Sequence, residues 1–481
     1  VDDYRAIADQ IAADITAGRL RPGQQLPTQR DFARRRGIAA STATRVYREL
    51  VRRGLTTGEV GRGTFVRAGG GAGDAAGGGQ VALAEPGAAP VDLELSYPSV
   101  PEQSALLAAG LAPLLRPDAL GEALRPVGAA GTAAARQAFA GLVGGPDWDA
   151  PEDAVLFAGN GRQAVAAALA ALVPPGQRLG VEELTYPVVK AIAERLGIRL
   201  VPLPVDEDGL LPEAVAAAHR ATPLRALYVQ PRVHNPLGAS MPPERAAALA
   251  AQLRRLDLPV VEDAIWSFLR PDLAPFAALA PERTVLVDSL SKRLAAGLSV
   301  GFAVVPAALR ERVAGALRAG GSTPSGYALE AAVRWIGDGT VAAVAAAKRA
   351  DAAARLELTR EVLGGRRVLA DRCSYFAWWR LAPPWRAETF VAAAARAGIS
   401  VTPAAAFAVD PRRSPPAVRI GLASPPLPVL ARALATLERI AAAGPEAAAG
   451  ADTGAAGART EAAGSGTEAA AGIGEQITGD R

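Results

Sequence analysis

From about Val91 to Ala441 the chain alternates short apolar runs, among them AVLFA, ALYV, VVED and TVLVD, with longer Ala/Leu-rich stretches of helical period. Strands and helices in strict alternation bury their apolar faces best as a mostly parallel sheet with helices packed on it. An α/β body is therefore predicted, and in such sheets ligands bind outside the carboxyl ends of the strands. That rule says where along the chain to look for chemistry.

At 481 residues the chain is too long for one ordinary domain. The run GGGAGDAAGGG is a flexible linker by composition, giving a head at 1–68, a linker at 69–90 and a body at 91–441. From Ala442 onward the sequence is Ala, Gly, Thr and Glu with no bulky residue to bury, so 442–481 is predicted to be a disordered tail. A single cysteine, Cys373, excludes an internal disulfide, and two histidines leave no Cys/His cluster, so no metal is expected. No charge-free apolar run of about 18 residues occurs, so a membrane span is not expected and a cytoplasmic location is.

The head is basic. Residues 1–68 hold thirteen arginines against seven acidic residues, although the whole chain carries only +4. Tyr4, Ile7, Ala8, Ile11 and Ile15 recur at helical spacing. Thr28 can cap a second helix that stops at Gly37, and Ser41 a third in which Val46, Tyr47, Leu50 and Val51 form the inward stripe. Thr44, Arg45, Arg48 and Arg52 remain on its polar side. LTTGEVGRGTFVRA then reads as two short strands with Arg62 at the tip. Three short helices and a β-wing make a winged helix-turn-helix, whose third helix fits the major groove of double-stranded DNA. A solvated basic bundle for protein contacts is the plainer alternative.

The run from GRLRPGQQLPTQRDFARRRG through GRGTFV closely resembles the GntR-family DNA-binding head. The resemblance implies that Arg30, Thr42, Arg45 and Arg62 lie at the DNA, with Thr44 on the same helix. Many relatives carry Ser-Arg at the start of the recognition helix, where this chain has Ala39 and Ala40.

In the body one residue type is conspicuous by its rarity. Of 52 Lys and Arg residues only Lys190, Lys292 and Lys348 are lysine. Lys292 ends the predicted strand in TVLVDSLSKRL, where an amine can form an imine and a guanidinium cannot. Other polar residues also follow predicted strands: the turn GNGRQ after AVLFA, Tyr186, Asn235, and Asp263 at the end of VVED. Singly each has an ordinary reading: Asp263 as a helix cap, Tyr186 as a core aromatic, Lys292 as a surface cation. Together they make the set that holds pyridoxal 5'-phosphate: an amine, a carboxylate for a pyridine nitrogen, an aromatic stack and a phosphate turn.

This order resembles the fold-type I aminotransferases, and with the attached head it resembles the MocR-type subgroup of GntR regulators over nearly all of residues 1–441. The resemblance implies that Lys292 bonds covalently to the cofactor, Asp263 pairs with the pyridinium nitrogen, Asn235 contacts the ring hydroxyl and Tyr186 stacks on the ring. Gly161, Arg162, Gln163, Ser289 and Ser291 would surround the phosphate, and Arg419 would grip the carboxylate of a substrate or effector. It also implies a head-to-tail homodimer. The chain departs from the pattern at Ser299, where an arginine usually meets the phosphate, at Ile265, where a tyrosine usually meets the ring hydroxyl, and near Pro126, where a cross-dimer tyrosine is missing. A DNA-binding regulator that senses a small amine, an amino acid or the cofactor itself is the expected function. A working aminotransferase with an accessory head, and a regulator whose body no longer binds cofactor, are the alternatives.

Overall fold

The computed structural model describes residues 4–16, 19–20, 24–53, 55–59, 63–66, 89–145, 148–298 and 300–461. Most of the expected linker, Arg62 and Ser299 lie outside the described residues.

In the head, α1 (Tyr4–Thr16), α2 (Gln29–Arg36) and α3 (Ala40–Arg52) enclose a core of Ala8, Ile11, Phe32, Ala43, Val46, Tyr47 and Leu50. Thr28 caps α2 as predicted, its hydroxyl accepting the Asp31 N–H at 3.2 Å, and Gly37 ends the helix at φ +65°. Two expectations are corrected. Ser41 is not the cap of α3: Ala39 takes the extended cap conformation and makes no side-chain bond, which leaves Ser41 exposed within the first turn. Val51 is 39% exposed, because the helical period brings Ala43, Val46, Tyr47 and Leu50 to the buried face and leaves Val51 at its margin. The wing also has three strands rather than two. β1 (Gln25–Leu26) joins β2 (Thr56–Glu59) and β3 (Gly63–Val66) in the order β1-β3-β2. Phe65 of the wing is buried beneath the Arg386 guanidinium of the body, 3.5 Å from the ring centroid.

The body is built on a seven-stranded sheet. Its strands are β4 (Val155–Ala158), β5 (Arg178–Glu182), β6 (Arg199–Leu203), β7 (Ala226–Val229), β8 (Val260–Asp263), β9 (Thr284–Ser289) and β10 (Gly301–Val304). They lie in the order β4-β10-β9-β8-β7-β5-β6, and only β10 runs against its neighbours. Five of them, β4, β7, β8, β9 and β10, are buried along their whole length, as both-face coverage requires and as their largely apolar runs foretell. Helix α4 (Gly161–Leu172) packs on this sheet, and α5 (Pro187–Arg195) packs against α4. A second, antiparallel sheet holds β11 (Arg367–Leu369), β12 (Phe376–Arg380), β13 (Thr402–Pro403) and β14 (Ala417–Gly421) in the order β11-β12-β14-β13. No helix of the described residues is long and apolar enough to cross a membrane.

The last helix, α8 (Leu427–Glu461), runs past Ala442 with a break at Gly444, where composition predicts no order. Lack of bulk limits burial, but Ala and Glu are strong helix formers, and propensity wins locally.

Candidate functional site

Five of the strand ends converge on one cavity of about 250 Å³, lined among others by Asn160, Tyr186, Asn235, Asp263, Ser289 and Lys292. A larger, mostly apolar cavity of about 390 Å³ sits at the opposite ends of the strands, between Trp148, Pro281 and Pro306, and none of the residues picked out from the sequence lines it.

One end of the lined cavity is made by the turn between β4 and α4. Asn160 caps α4, its Oδ1 accepting the Gln163 N–H at 3.0 Å. Beneath the turn lies Gly301, where a Cβ would come within 2.2 Å of the Asn160 carbonyl carbon, so a bare backbone is required there. Gly161 lies against Ser289, whose hydroxyl is 2.7 Å from that of Ser291. Helix N–H groups, two hydroxyls and Arg162 thus face one space, a donor set suited to a phosphate. Gln163 contributes its backbone to this turn, while its side-chain oxygen is buried without a partner.

At the end of β8, strand alternation separates two adjacent carboxylates. Glu262 turns away to pair with Arg232 at 3.0 Å and to accept the Phe276 and Ala277 N–H groups. Asp263 lines the cavity and is bonded by the Tyr228 hydroxyl at 2.5 Å, the Gln230 amide at 3.1 Å and the Ile265 N–H at 3.1 Å. Burial pushes its carboxyl up to about 6, against the pull of those hydrogen bonds. A buried carboxylate so placed is completed by a cation, such as a protonated ring nitrogen.

The raised value sets a pH dependence in the cofactor-free protein. Because the folded-state pKa of Asp263 exceeds its ordinary 3.8, the group's favourable contribution is full below about pH 4 and lost as pH rises through 6. Asp263→Asn, which keeps an acceptor for Tyr228, is expected to be the more stable protein at pH 8 by roughly 1–3 kcal/mol. Urea unfolding at the two pH values measures this, and an advantage that persists unchanged at pH 4 would contradict it.

Lys292 sits in α6 (Leu290–Arg293), a single turn beyond the end of β9, rather than on the strand itself. Its Nζ donates to the Ser96 carbonyl at 2.6 Å and lies 4.2 Å from the Tyr97 ring centroid and 5.4 Å from that of Trp266. Burial first, then the charges of Arg419, Arg162 and Lys348, bring its ammonium down to about 7. Near neutral pH much of Lys292 is therefore a free amine, the nucleophilic form.

Asn235 lines the cavity, and Arg419, which is not among the lining residues, is bonded to it. The Arg419 guanidinium, on β14, donates to Asn235 Oδ1 at 2.8 Å, to the Glu94 carbonyl and to Thr402 Oγ1 at 3.4 Å. Arg419 is thus already engaged by its own chain, and an incoming carboxylate would have to take over some of those bonds. Tyr186 heads α5 and lines the cavity, with burial raising its phenol and the nearby Arg162 lowering it. Ile265 and Trp266 line the same wall.

Sequence reasoning missed Tyr97, Gln230 and Tyr228. Tyr97 comes from a loop nearly two hundred residues before Lys292. Gln230 and Tyr228 sit within two residues of the end of β7, so the strand-end rule could have flagged them.

In the head, Arg30 and Arg45 are exposed and Thr42 is half-buried. Arg45 lies over the Tyr4 ring at 4.1 Å, and the Thr44 hydroxyl bonds Gln29 Oε1 at 2.9 Å.

Residues 3–66 match the family of bacterial regulatory proteins, gntR family, and residues 120–437 match aminotransferase class I and II. The chain is 30% identical over 449 residues to the HTH-type transcriptional regulator YdeF of Bacillus subtilis, covering 91% of this chain and 94% of that protein. It is 34% identical over 159 residues to the HTH-type pyridoxine biosynthesis transcriptional regulator PdxR of Corynebacterium glutamicum, about a third of each chain (32% and 34%). Among solved structures, an archaeal alanine:glyoxylate aminotransferase superposes with a TM-score of 0.67 at 20% identity, covering 73% of this chain and 90% of its own. Alpha-aminoadipate aminotransferase LysN of Thermus thermophilus, complexed with N-(5'-phosphopyridoxyl)-L-leucine, gives 0.65 at 22% identity, with 73% and 91% covered. At such identities these structures speak to the fold alone, which is that of the class I and II aminotransferases. The chain belongs to the aminotransferase class I and II family and, with its gntR-family head, to the MocR-type transcriptional regulators.

Proposed function

We propose that this regulator binds pyridoxal phosphate in the strand-end cavity, senses a small amine or amino acid there, and passes the result to a head bound to promoter DNA. The observation that carries the proposal is the convergence, in one cavity, of the Lys292 amine, the Asp263 carboxyl, which no ion pair joins to a cation among the described residues, and the donor groups of Gly161, Ser289 and Ser291. Pyridoxal phosphate, when bound, supplies an aldehyde that condenses with amines and a ring that withdraws electrons. Lys292 would hold it through its amine, Asp263 would face its ring nitrogen, and Asn235 its hydroxyl. Tyr186 would stack on it, and Gly161, Arg162, Gln163, Ser289 and Ser291 would surround its phosphate. An effector amine would displace Lys292, and any carboxylate it carried would compete for Arg419. The signal needs an effector that binds one conformation of the body better than another. The buried contact of Phe65 with Arg386 supports a direct route between wing and body. A head-to-tail homodimer would place two heads on one DNA site.

The test is a visible spectrum of the protein with excess pyridoxal phosphate, followed by a panel of amines and amino acids. The expected result is a visible band that one class of amine shifts, with a matching change in affinity for double-stranded DNA. Repeated release of keto acid with an amino acceptor supplied would instead identify a working aminotransferase.

A further inference from the structure

Lys348 lies just over two turns into α7 (Thr340–Leu363) and is completely buried. Its Nζ donates to the carbonyl oxygens of Lys292, at 3.0 Å, and of Leu294, at 2.6 Å. These are carbonyls at the carboxyl end of α6, a four-residue turn too short to be stable by itself. No ion pair joins Lys348 to an acidic side chain among the described residues. The nearby Asp351 is taken by Arg355 at 2.7 Å and by the Tyr375 hydroxyl at 2.9 Å. A fully buried ammonium met only by carbonyl dipoles is costly, and an apolar side chain would fill a helix interior more cheaply. A compact ammonium on a flexible stem can reach two carbonyls that converge on one point, where a planar guanidinium fits less well.

We propose that Lys348 is the positioning residue for Lys292, gripping the carbonyls at and just beyond it and so fixing the turn from which its amine enters the cavity. This rests on the reading of Lys292 as the amine that holds the cofactor. The grip has an electrostatic companion: Lys348 adds a like charge near Lys292, together with Arg162 from α4 and Arg419 from β14, in a cavity that Asp263 of β8 also lines. Burial brings Lys348 itself down to about 8, as expected of a cation without a carboxylate.

The experiment uses the full-length cofactor-free protein and variants Lys348→Met and Lys348→Gln. Competitive acetylation with acetic anhydride across pH, read by peptide mass spectrometry, reports each of the three lysines separately. In wild type, labelling of Lys292 is expected to be half-maximal near pH 7. Removal of the neighbouring charge should raise that midpoint in both variants. Lys190, tied to the carbonyl of Ala408 at 3.0 Å, should not move. Pyridoxal phosphate affinity should fall about tenfold in Lys348→Met, and less in Lys348→Gln, whose amide still reaches one carbonyl. If Lys348→Met does not fold, Lys348→Gln decides. A wild-type midpoint and wild-type cofactor affinity in a folded variant would overturn the proposal. Absence of any visible band in wild type would overturn the cofactor reading instead, while the acetylation midpoint would still test the hold of Lys348 on Lys292.

Discussion

Lys292→Ala is expected to abolish the visible band that wild-type protein develops with pyridoxal phosphate, and to leave no cofactor mass on the chain after borohydride reduction. The expectation follows from three facts that act together. Lys292 is the lysine that lines the cavity, its amine is held down to about 7, and its Nζ is fixed between the Ser96 carbonyl and the faces of Tyr97 and Trp266. At pH 8 an amine with that value is about nine-tenths unprotonated, against well under a hundredth for an ordinary lysine. Of the other two lysines, Lys190 binds the Ala406 and Ala408 carbonyls and Lys348 those of Lys292 and Leu294, so neither is placed to substitute. Lys292→Arg should fail as completely, since a guanidinium keeps the charge but not the nucleophile. Non-covalent binding should survive at reduced affinity, because Asp263, Ser289, Ser291 and the amino end of α4 remain. A reduced adduct found on another lysine in wild-type protein would sink the assignment.

Much of this site could be read before any coordinates, and the reason is geometric. A parallel sheet sends the residue after each strand to a common edge, so Asp263, Asn235, Tyr186 and the Gly161 turn were legible one strand at a time. What stayed hidden depends on contacts between distant segments. Tyr97 enters from a loop ahead of the first sheet strand, and Lys348 comes from a helix 56 residues beyond Lys292. The role of Arg419 was legible as a residue type, but its engagement by Asn235 and Glu94 was not. In the head, the α3 stripe was right in period and wrong at its edge, with Ala43 inside and Val51 outside. Alanine gives periodicity arguments little contrast, and this chain is rich in it. The third strand of the wing was hidden for a related reason: Gln25–Leu26 is too short to show alternation and exists only by pairing with Thr64 and Phe65.

The strongest effect expected in the head comes from its arginines. Arg30 and Arg45 are exposed on α2 and α3, and Arg62, which falls between β2 and β3 in the sequence, lies outside the described residues. If all three meet DNA, replacing them together by alanine should weaken binding to a duplex selected by wild-type protein from a random library by roughly 100-fold or more, at about 1–3 kcal/mol for each base contact and less for each phosphate. The dependence of affinity on salt separates the two kinds of contact. Each lost phosphate contact lowers the slope of log affinity against log salt by about 1, whereas a lost base contact leaves the slope and relaxes preference at one position. Arg45→Ala alone is the sharper probe, because its guanidinium rests over the Tyr4 ring and is presented with little freedom left to lose. Helical circular dichroism controls for the loss of that ring contact. An unchanged affinity and an unchanged salt slope in the triple variant would place the DNA elsewhere than on α2, α3 and the wing.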